Sequence, residues 1–288
     1  MIAIIVIAVA GICFWYFSYK IPRDKEIADY NLAVTDFNSA IDDVHAKNQE
    51  LSDAISTAQN VIDSGNQPYD ETALSTLSEV LSNAETAKRE IPVKPKKLED
   101  TKLKTDDIKL QADDIKSQTA ELKEPLDYSD IISKIQEQQK ILEDSIQQML
   151  QITNPSQEFV IQRLQNIPTV SGIEAATEDN DPNGNLNKQS GYTAAVFFSS
   201  ALINQDEVIG SDILDKGTDC GGCIEVYATK EDAESRNTYL SVFDSAGILN
   251  SGSHNVLGTI VIRTSKNLTA TQQTELEEAI KDQLLLVQ

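Results

Sequence analysis

Three short stretches carry side chains of types that could do chemistry. The first, "TEDNDPNGNLNKQSGY" (177–192), sets Asp179, Asp181, Asn183 and Asn185 at alternate positions, with Gly184 after Asn183. This fits the first half of a calcium loop, in which alternate carboxylate and amide oxygens converge on one hard cation where glycine allows a sharp turn. Leu186 would be the apolar anchor of that loop. At the twelfth position, where a bidentate Glu belongs, the chain has Ser190. A Ca2+ site would therefore need another carboxylate, such as Glu178, Asp212 or Asp215. The other reading is an Asx-rich turn whose side chains cap their own backbone.

The second stretch is "DCGGC", with Cys220 and Cys223. A C-x-x-C serves as a redox pair, half of a zinc site, or a local disulfide. A thioredoxin-type pair opens a helix, whereas this one precedes a strand pattern. Zinc would need two further ligands, and His254 is the only residue of suitable type nearby. The expectation is a small disulfide between Cys220 and Cys223 that tightens a Gly-Gly loop and adds little stability. The third stretch, "SGSHNV", sets His254 beside Ser251 and Ser253. With no G-x-S-x-G in the chain, it reads as a loop histidine at a strand start. No dinucleotide or P-loop pattern occurs. No catalytic residue and no organic cofactor is assigned, and Ca2+ is the one ion suggested.

These stretches need elements to hold them. Residues 1–19, "MIAIIVIAVAGICFWYFSY", carry no Asp, Glu, Lys or Arg, and Phe14, Trp15, Tyr16, Phe17 and Tyr19 cluster at the end. That length and aromatic belt predict an uncleaved single-pass membrane anchor, with the lipid bilayer as partner. A cleaved signal peptide is the rival, without its basic n-region or small-residue cleavage site. Lys20, Arg23 and Lys25 follow the span, which by the positive-inside rule would keep the body in the cytoplasm. The chain begins inside the apolar run, as it would if a short basic leader preceded it, and the architecture suits a cell surface. An extracellular body is the expectation.

From Ile27 to Ile62 apolar residues recur with spacing 3-4-3-4: Ile27, Tyr30, Val34, Phe37, Ile41, Val44, Leu51, Ile55, Ala58 and Ile62, with Asn48 the one polar member. This predicts a long helix over 24–63 with a coiled-coil seam, in which Asn48 sets register. Helices follow over about 70–91 and 127–153. Between them a period-seven repeat runs from Leu98 to Pro125, with seam residues Leu98/Thr101, Thr105/Ile108, Ala112/Ile115 and Thr119/Leu122. The expectation is a stalk over 20–154, built as an antiparallel coiled coil or helical bundle, with a homo-oligomer through the stalk as a further one.

After Asn154 the heptads stop. A helix is expected over 156–167, strands over 170–177, 192–199, 223–229 and 256–265, and helices over 230–245 and from Thr269 or Thr271 onward. That mixture predicts an α+β domain over 155–288, a mainly antiparallel sheet packed on helices. The formal charge is −22, from 46 acidic and 24 basic residues. It is spread over both halves, so nucleic acid is excluded as a partner.

The pattern "GIEAATEDNDPNGNLNKQSGYTAAVFF", "GGCIEVYATKEDAESRNTYL" and "SGSHNVLGTIVIRT…LTATQQTELEEAI" resembles a C-terminal domain of uncharacterised Gram-positive bacterial proteins that are secreted or membrane-anchored. The resemblance covers 155–288 and implies an extracellular body, but no activity. The two cysteines depart from what that family leads one to expect. The functional expectation is a membrane-anchored surface protein displaying a non-enzymatic binding domain for an unidentified cell-envelope or protein ligand. The alternatives are an envelope factor with a redox or hydrolytic distal domain, using Cys220, Cys223 and His254, and a cytoplasm-facing scaffold.

Overall fold

Helical backbone runs without a break from Ile2 to Asp63 in the computed structural model, which describes residues 2–99, 101–244 and 252–287. Helix α1 (Ile2–Trp15) passes through a π turn at Tyr16–Lys20 into α2 (Ile21–Asp63), and Trp15 and Ile21 on either side keep helical dihedrals. Every side chain from Val9 to Tyr19 is exposed, Phe17 at 66 % and Trp15 at 52 %. Among the described residues no single helix is long and apolar enough to cross a membrane. Helix α1 covers 14 residues, about 21 Å at the α-helical rise.

The chain divides into two units, Met1–Ser64 with Ser75–Gln139, and Gly65–Leu74 with Lys140–Gln288. In the first unit the heptad ladder is buried as its spacing requires: Tyr30, Val34, Phe37, Ile41, Val44, Leu51, Ile55 and Ala58 all lie inside. Their cover comes from the chain itself. After α3 (Glu71–Ala87), residues 88–99 and 101–104 form neither helix nor strand but a strap laid along α2. Asn48 donates from Nδ2 to the Arg89 carbonyl at 2.8 Å, and its Oδ1 accepts from the Arg89 amide at 3.2 Å and the Tyr128 hydroxyl at 2.8 Å. Lys94 pairs with Asp42 at 2.5 Å, and the Tyr30 hydroxyl donates to the Lys96 carbonyl at 3.2 Å. Asn31 makes both backbone bonds to Leu98, each 2.8 Å, and Arg23 donates to the carbonyls of Thr101 and Leu103.

These rungs run backwards along α2 as the strap runs forward. The helix rises about 37 Å between Arg23 and Asn48, and a polyproline-like chain covers about 43 Å between Arg89 and Leu103, so the two lengths match. Pro92 and Pro95 suit the strap because an extended chain there has no ladder amides to lose. Two expectations are corrected here. Leu98 and Thr101 are not helical, because Asn31 takes the backbone groups of Leu98 and the next helix, α4, starts at Thr105 and ends at Leu122. And α4 is parallel to α2, not antiparallel. It starts where Arg23 holds Leu103, and past its end Leu122 and Leu126 share a groove with Ala40, Val44 and Lys47. The strap makes the return trip that an antiparallel helix would have made. Ile108, Ala112 and Ile115 of α4 pack on Tyr30, Val34, Phe37 and Ile41. Helix α3 is antiparallel to α2: Arg89, just past its end, is held at Asn48, and Ser78, Leu81, Ser82 and Glu85 share a groove with Ser52, Ile55, Gln59 and Asp63 further along α2.

Helix α5 (Ser129–Gln151) enters the second unit at Lys140. That unit continues with α6 (Gln157–Leu164), β1 (Val170–Ala175), β2 (Tyr192–Ser200), α7 (Ile213–Lys216), β3 (Gly221–Tyr227), α8 (Lys230–Asp244), β4 (Ser253–Leu257), β5 (Ile260–Thr264) and α9 (Ala270–Leu285). The strands form one antiparallel sheet in the order β1-β2-β3-β5-β4. On one face Val196, Phe198, Ile224, Val226, Ile260 and Ile262 meet Val160 and Leu164 of α6 and Leu276, Ile280 and Leu284 of α9. On the other face Ala195, Phe197, Cys223, Tyr227 and Val261 meet Ala233 and Leu240 of α8 and Leu186 of the acidic loop. With both faces covered, the middle strands are apolar without alternation. The domain is thus α+β, with an antiparallel sheet packed on helices. The single strand expected over 256–265 is instead a hairpin. Gly258, at φ +60°, makes the turn, and a Cβ there would run into the Ile152 carbonyl. Residue 245, the last of the helix expected over 230–245, lies outside the described residues.

An Asn at an a position of a two-helix coiled coil usually costs stability, so Leu in its place would stabilise. Here the sign reverses. Asn48→Leu would leave the Arg89 carbonyl without its donor and the Tyr128 hydroxyl without its acceptor, while the Arg89 amide keeps the Tyr128 oxygen at 2.8 Å, at a cost of about 1–3 kcal/mol. Urea unfolding followed by helical circular dichroism measures it, and a stabilised variant would contradict the strap.

Candidate functional site

The acidic loop is organised around one carboxylate. Asp181 Oδ1 accepts from the Asn183 amide at 3.1 Å and from the Tyr192 hydroxyl. Its Oδ2 accepts from the amides of Asn185 at 2.6 Å and Leu186 at 2.9 Å. A carboxylate offers about four lone-pair positions, and four donors fill them. Burial by itself would raise the Asp181 carboxyl, but the Tyr192 hydroxyl and the amides of Leu186, Asn183 and Asn185 outweigh it and hold the group below its ordinary value. The loop also caps itself at Thr177, whose amide and hydroxyl both reach Asn180 Oδ1, and at Asn187, which donates to Glu178 at 2.8 Å. These are the side-chain-to-backbone bonds of an Asx-rich turn. Leu186 is buried as the anchor, while Asp179, Asn183 and Asn185 are exposed on the rim, and Ser190 sits at φ +57°.

Across from this loop, Asp212 and Asp215 do come close to it. They share a groove of about 460 Å³ with Glu174, Asn180 and Pro182. Their carboxylates are engaged locally, Asp212 with the Asp215 amide at 2.8 Å and Asp215 with the Ser211 amide at 2.8 Å. Among the described residues no group of three or more His, Cys, Asp or Glu is placed to hold a metal ion.

The two cysteines are free and buried, which corrects the expected disulfide. "GG" is not a loop between them but the start of β3, where a Cβ on Gly222 would strike the Phe198 ring and the Arg263 carbonyl. Cys223 takes its place on the α8 face of the sheet. Cys220 stays behind in a 3₁₀ turn, its thiol donating to the carbonyls of Gly217 at 3.2 Å and Phe198 at 3.5 Å. Burial pushes the Cys220 thiol up to about 11, and burial together with the Glu225 charge pushes Cys223 well above its ordinary value. Neither is primed as a thiolate. His254 lies in β4, its Nδ1 2.6 Å from Asn237 Oδ1 on α8. In sheet register Arg263 stands between His254 and Cys223, so those two do not meet. Ser253 bonds to Glu277 at 3.3 Å, and Ser251 lies outside the described residues.

A buried charged cluster that no motif marks lies in the domain core. Glu225 has no exposed surface. Arg236 of α8 donates to it from Nε at 2.8 Å and from Nη2 at 2.9 Å, Arg263 of β5 from Nη1 at 2.8 Å, and Tyr227 from its hydroxyl at 2.9 Å. Burial alone would raise this carboxyl, but the hydrogen bonds and charges of the two arginines hold it below its ordinary value. The Tyr227 ring meets Tyr192 edge to face at 6.1 Å, and Tyr192 reaches Asp181, so the loop and the core cluster form one chain of contacts. A signal was present in the sequence: Glu225 interrupts "CIEVY" and Arg263 interrupts "IVIRT", each a charge inside an apolar strand.

Glu225→Gln would leave Arg236 and Arg263 buried without their counter-charge, at a cost of about 3–5 kcal/mol. Because the folded carboxyl titrates below its unfolded value of about 4.3, the unfolded chain binds more protons as pH falls past that value, and stability is lost there. Hydrogen exchange of the β3 amides between pH 3 and 6 reads both effects, and the variant should lack this part of the slope. With Asp181 occupied by its own loop, millimolar calcium and a chelator should give the same melting midpoint. A rise with calcium, as linkage demands for a ligand of the folded state, would show that the loop reopens. No family model matches the chain, and no curated protein or solved structure matches it at a significant level, so what the domain does is read from its own residues.

Proposed function

We propose that the chain is a single-pass cell-surface protein, anchored by residues 1–19, whose C-terminal α+β domain binds an envelope or protein ligand without reacting with it. One observation carries the anchor. From Val9 to Tyr19 every side chain is exposed, including Ile12 at 65 % and Phe14 at 73 %, on an unbroken helical backbone. A continuous apolar surface of this kind needs a cover, and a hydrocarbon layer is the cover that matches helical residues without Asp, Glu, Lys or Arg. At its end Lys20 and Arg23 lie over the rings of Tyr16 and Tyr19, an arrangement suited to the headgroup level.

Binding is favoured over catalysis because the groups that could have reacted are bonded to one another. Asp181 is filled by its loop, Glu225 by two arginines and a tyrosine, and both thiols are buried with raised pKa. Such networks hold a rigid domain in one shape. The external side rests on the resemblance to Gram-positive surface proteins.

Removing residues 2–19 should move the chain from the membrane pellet to the supernatant. Protease added to intact cells should remove the body. A full-length chain released by alkaline carbonate would overturn the anchor, and a body cut only after lysis would overturn the external side.

A further inference from the structure

Arg163, on α6, is buried, with 6 % of its surface exposed, and no carboxylate among the described residues pairs with it. Its Nη2 donates to Gln151 Oε1 at 3.2 Å and to the Leu286 carbonyl at 2.9 Å, and its guanidinium lies 4.7 Å from the centre of the Phe159 ring. Its Nη1 has no partner at all. The contrast within the same domain lies in the counter-charge: Arg263 Nε is also without a partner, but Arg236 and Arg263 share the Glu225 carboxylate. A guanidinium withdrawn from water with only neutral acceptors carries a desolvation cost that an anion would offset.

Arg163 lines a cleft of about 260 Å³ together with Phe159, Val287 and the side-chain amides of Gln147, Gln151, Gln162 and Asn166. Among the described residues no acidic side chain lines it. Four other grooves on the described surface each carry at least one Asp or Glu, as a chain of net charge −22 would lead one to expect. An acid-free cleft with a cation at its wall is therefore a local exception to the charge of the whole surface. Gln151 also donates to the carbonyls of Leu284 and Leu286, so the same amide that orients Arg163 holds the tail forming one wall.

We propose that this cleft binds the terminal carboxylate of a peptide. Arg163 supplies the charge-assisted donor, the carboxamides pair with the adjacent peptide group, and Phe159 and Val287 meet the terminal side chain. The proposal rests on the binding reading above and names its ligand class. The volume suits one or two small residues.

Acetyl-dialanine as the free acid, its C-terminal amide, and acetate are titrated against the full chain in detergent micelles, followed by isothermal calorimetry. The acid should bind, the amide about tenfold or more weakly because the charged hydrogen bond is lost, and acetate more weakly still because it has no peptide group. Arg163→Gln should abolish the preference for acid over amide. Because Arg163 also holds the tail, Gln162→Glu is the second variant. Gln162 is exposed, so the fold is kept while a like charge enters the cleft, and acid binding should fall about tenfold. Equal affinity for acid and amide, no measurable binding of the acid, or an unchanged affinity in Gln162→Glu would each overturn the proposal. None of these outcomes would alter the membrane fractionation that tests the anchored-display reading.

Discussion

A carboxylate with no water around it sets the terms for the C-terminal domain. Moving an ion of this size out of water costs several kcal/mol even after relaxation, so Glu225 is tolerable only while all four of its donors are in place. Those donors come from three elements. Tyr227 lies on the same strand, Arg263 on the next, and Arg236 on the helix that covers this face. A slip of β5 by one residue would send Arg263 to the opposite face, and a rotation of α8 would withdraw Arg236. Strand register and helix docking are thus tied to one side chain. From Tyr227 the constraint passes through Tyr192 to Asp181, which draws the acidic loop into the same order.

The helical unit solves a different problem with milder means. Half of α2 has no helix folded back on it, and the chain must still return to start α4 beside Arg23. An extended segment covers that distance in fewer residues than a helix would, because its rise per residue is about twice as large. It has no ladder of its own, so its backbone groups need partners from outside. Asn31 and Asn48 supply them, each with one amide donor and one carbonyl acceptor, which match the two groups of a peptide residue. A seam asparagine can thus select an extended chain as its partner, where a coiled coil would offer another helix. From Tyr30 to Ala58 the apolar residues of the seam are buried within the chain.

The same logic of satisfied and unsatisfied groups separates the two polar sites of the domain. At Asp181 and Glu225 every acceptor position is filled, which makes them structural. Arg163 Nη1 and Arg263 Nε are both left without a partner, but Arg263 shares the Glu225 carboxylate, whereas Arg163 has only neutral acceptors and lines a cleft with no acid among its described residues. The loop that most resembles a metal motif is therefore a less open site than an arginine that no motif would single out.

Much of the architecture was legible from local pattern. The heptad ladder marked α2 to within a few residues, Thr269 was one of two threonines marked for the start of α9, and β2, β3 and β5 announced themselves as apolar runs. The buried Leu186 and the nearness of Asp212 and Asp215 to the loop were also foreseeable. What local pattern could not decide is where partners come from across the fold. A period of seven continued through Leu98 and Thr101, yet Asn31, far away in sequence, took the backbone of Leu98 and kept it extended. Cys220 and Cys223 were spaced for a bridge, yet the close packing of Gly222 on Phe198 made their link a strand. Glu225 and Arg263 looked like interruptions until the sheet set them side by side. The sequence by itself determined which segments are helix or strand and which faces are apolar, because those follow from periodicities of a few residues. Tertiary structure alone decided which polar groups are paired and that, among the described residues, the buried guanidinium of Arg163 is left without a counter-charge, because pairing depends on distances that chain separation does not encode.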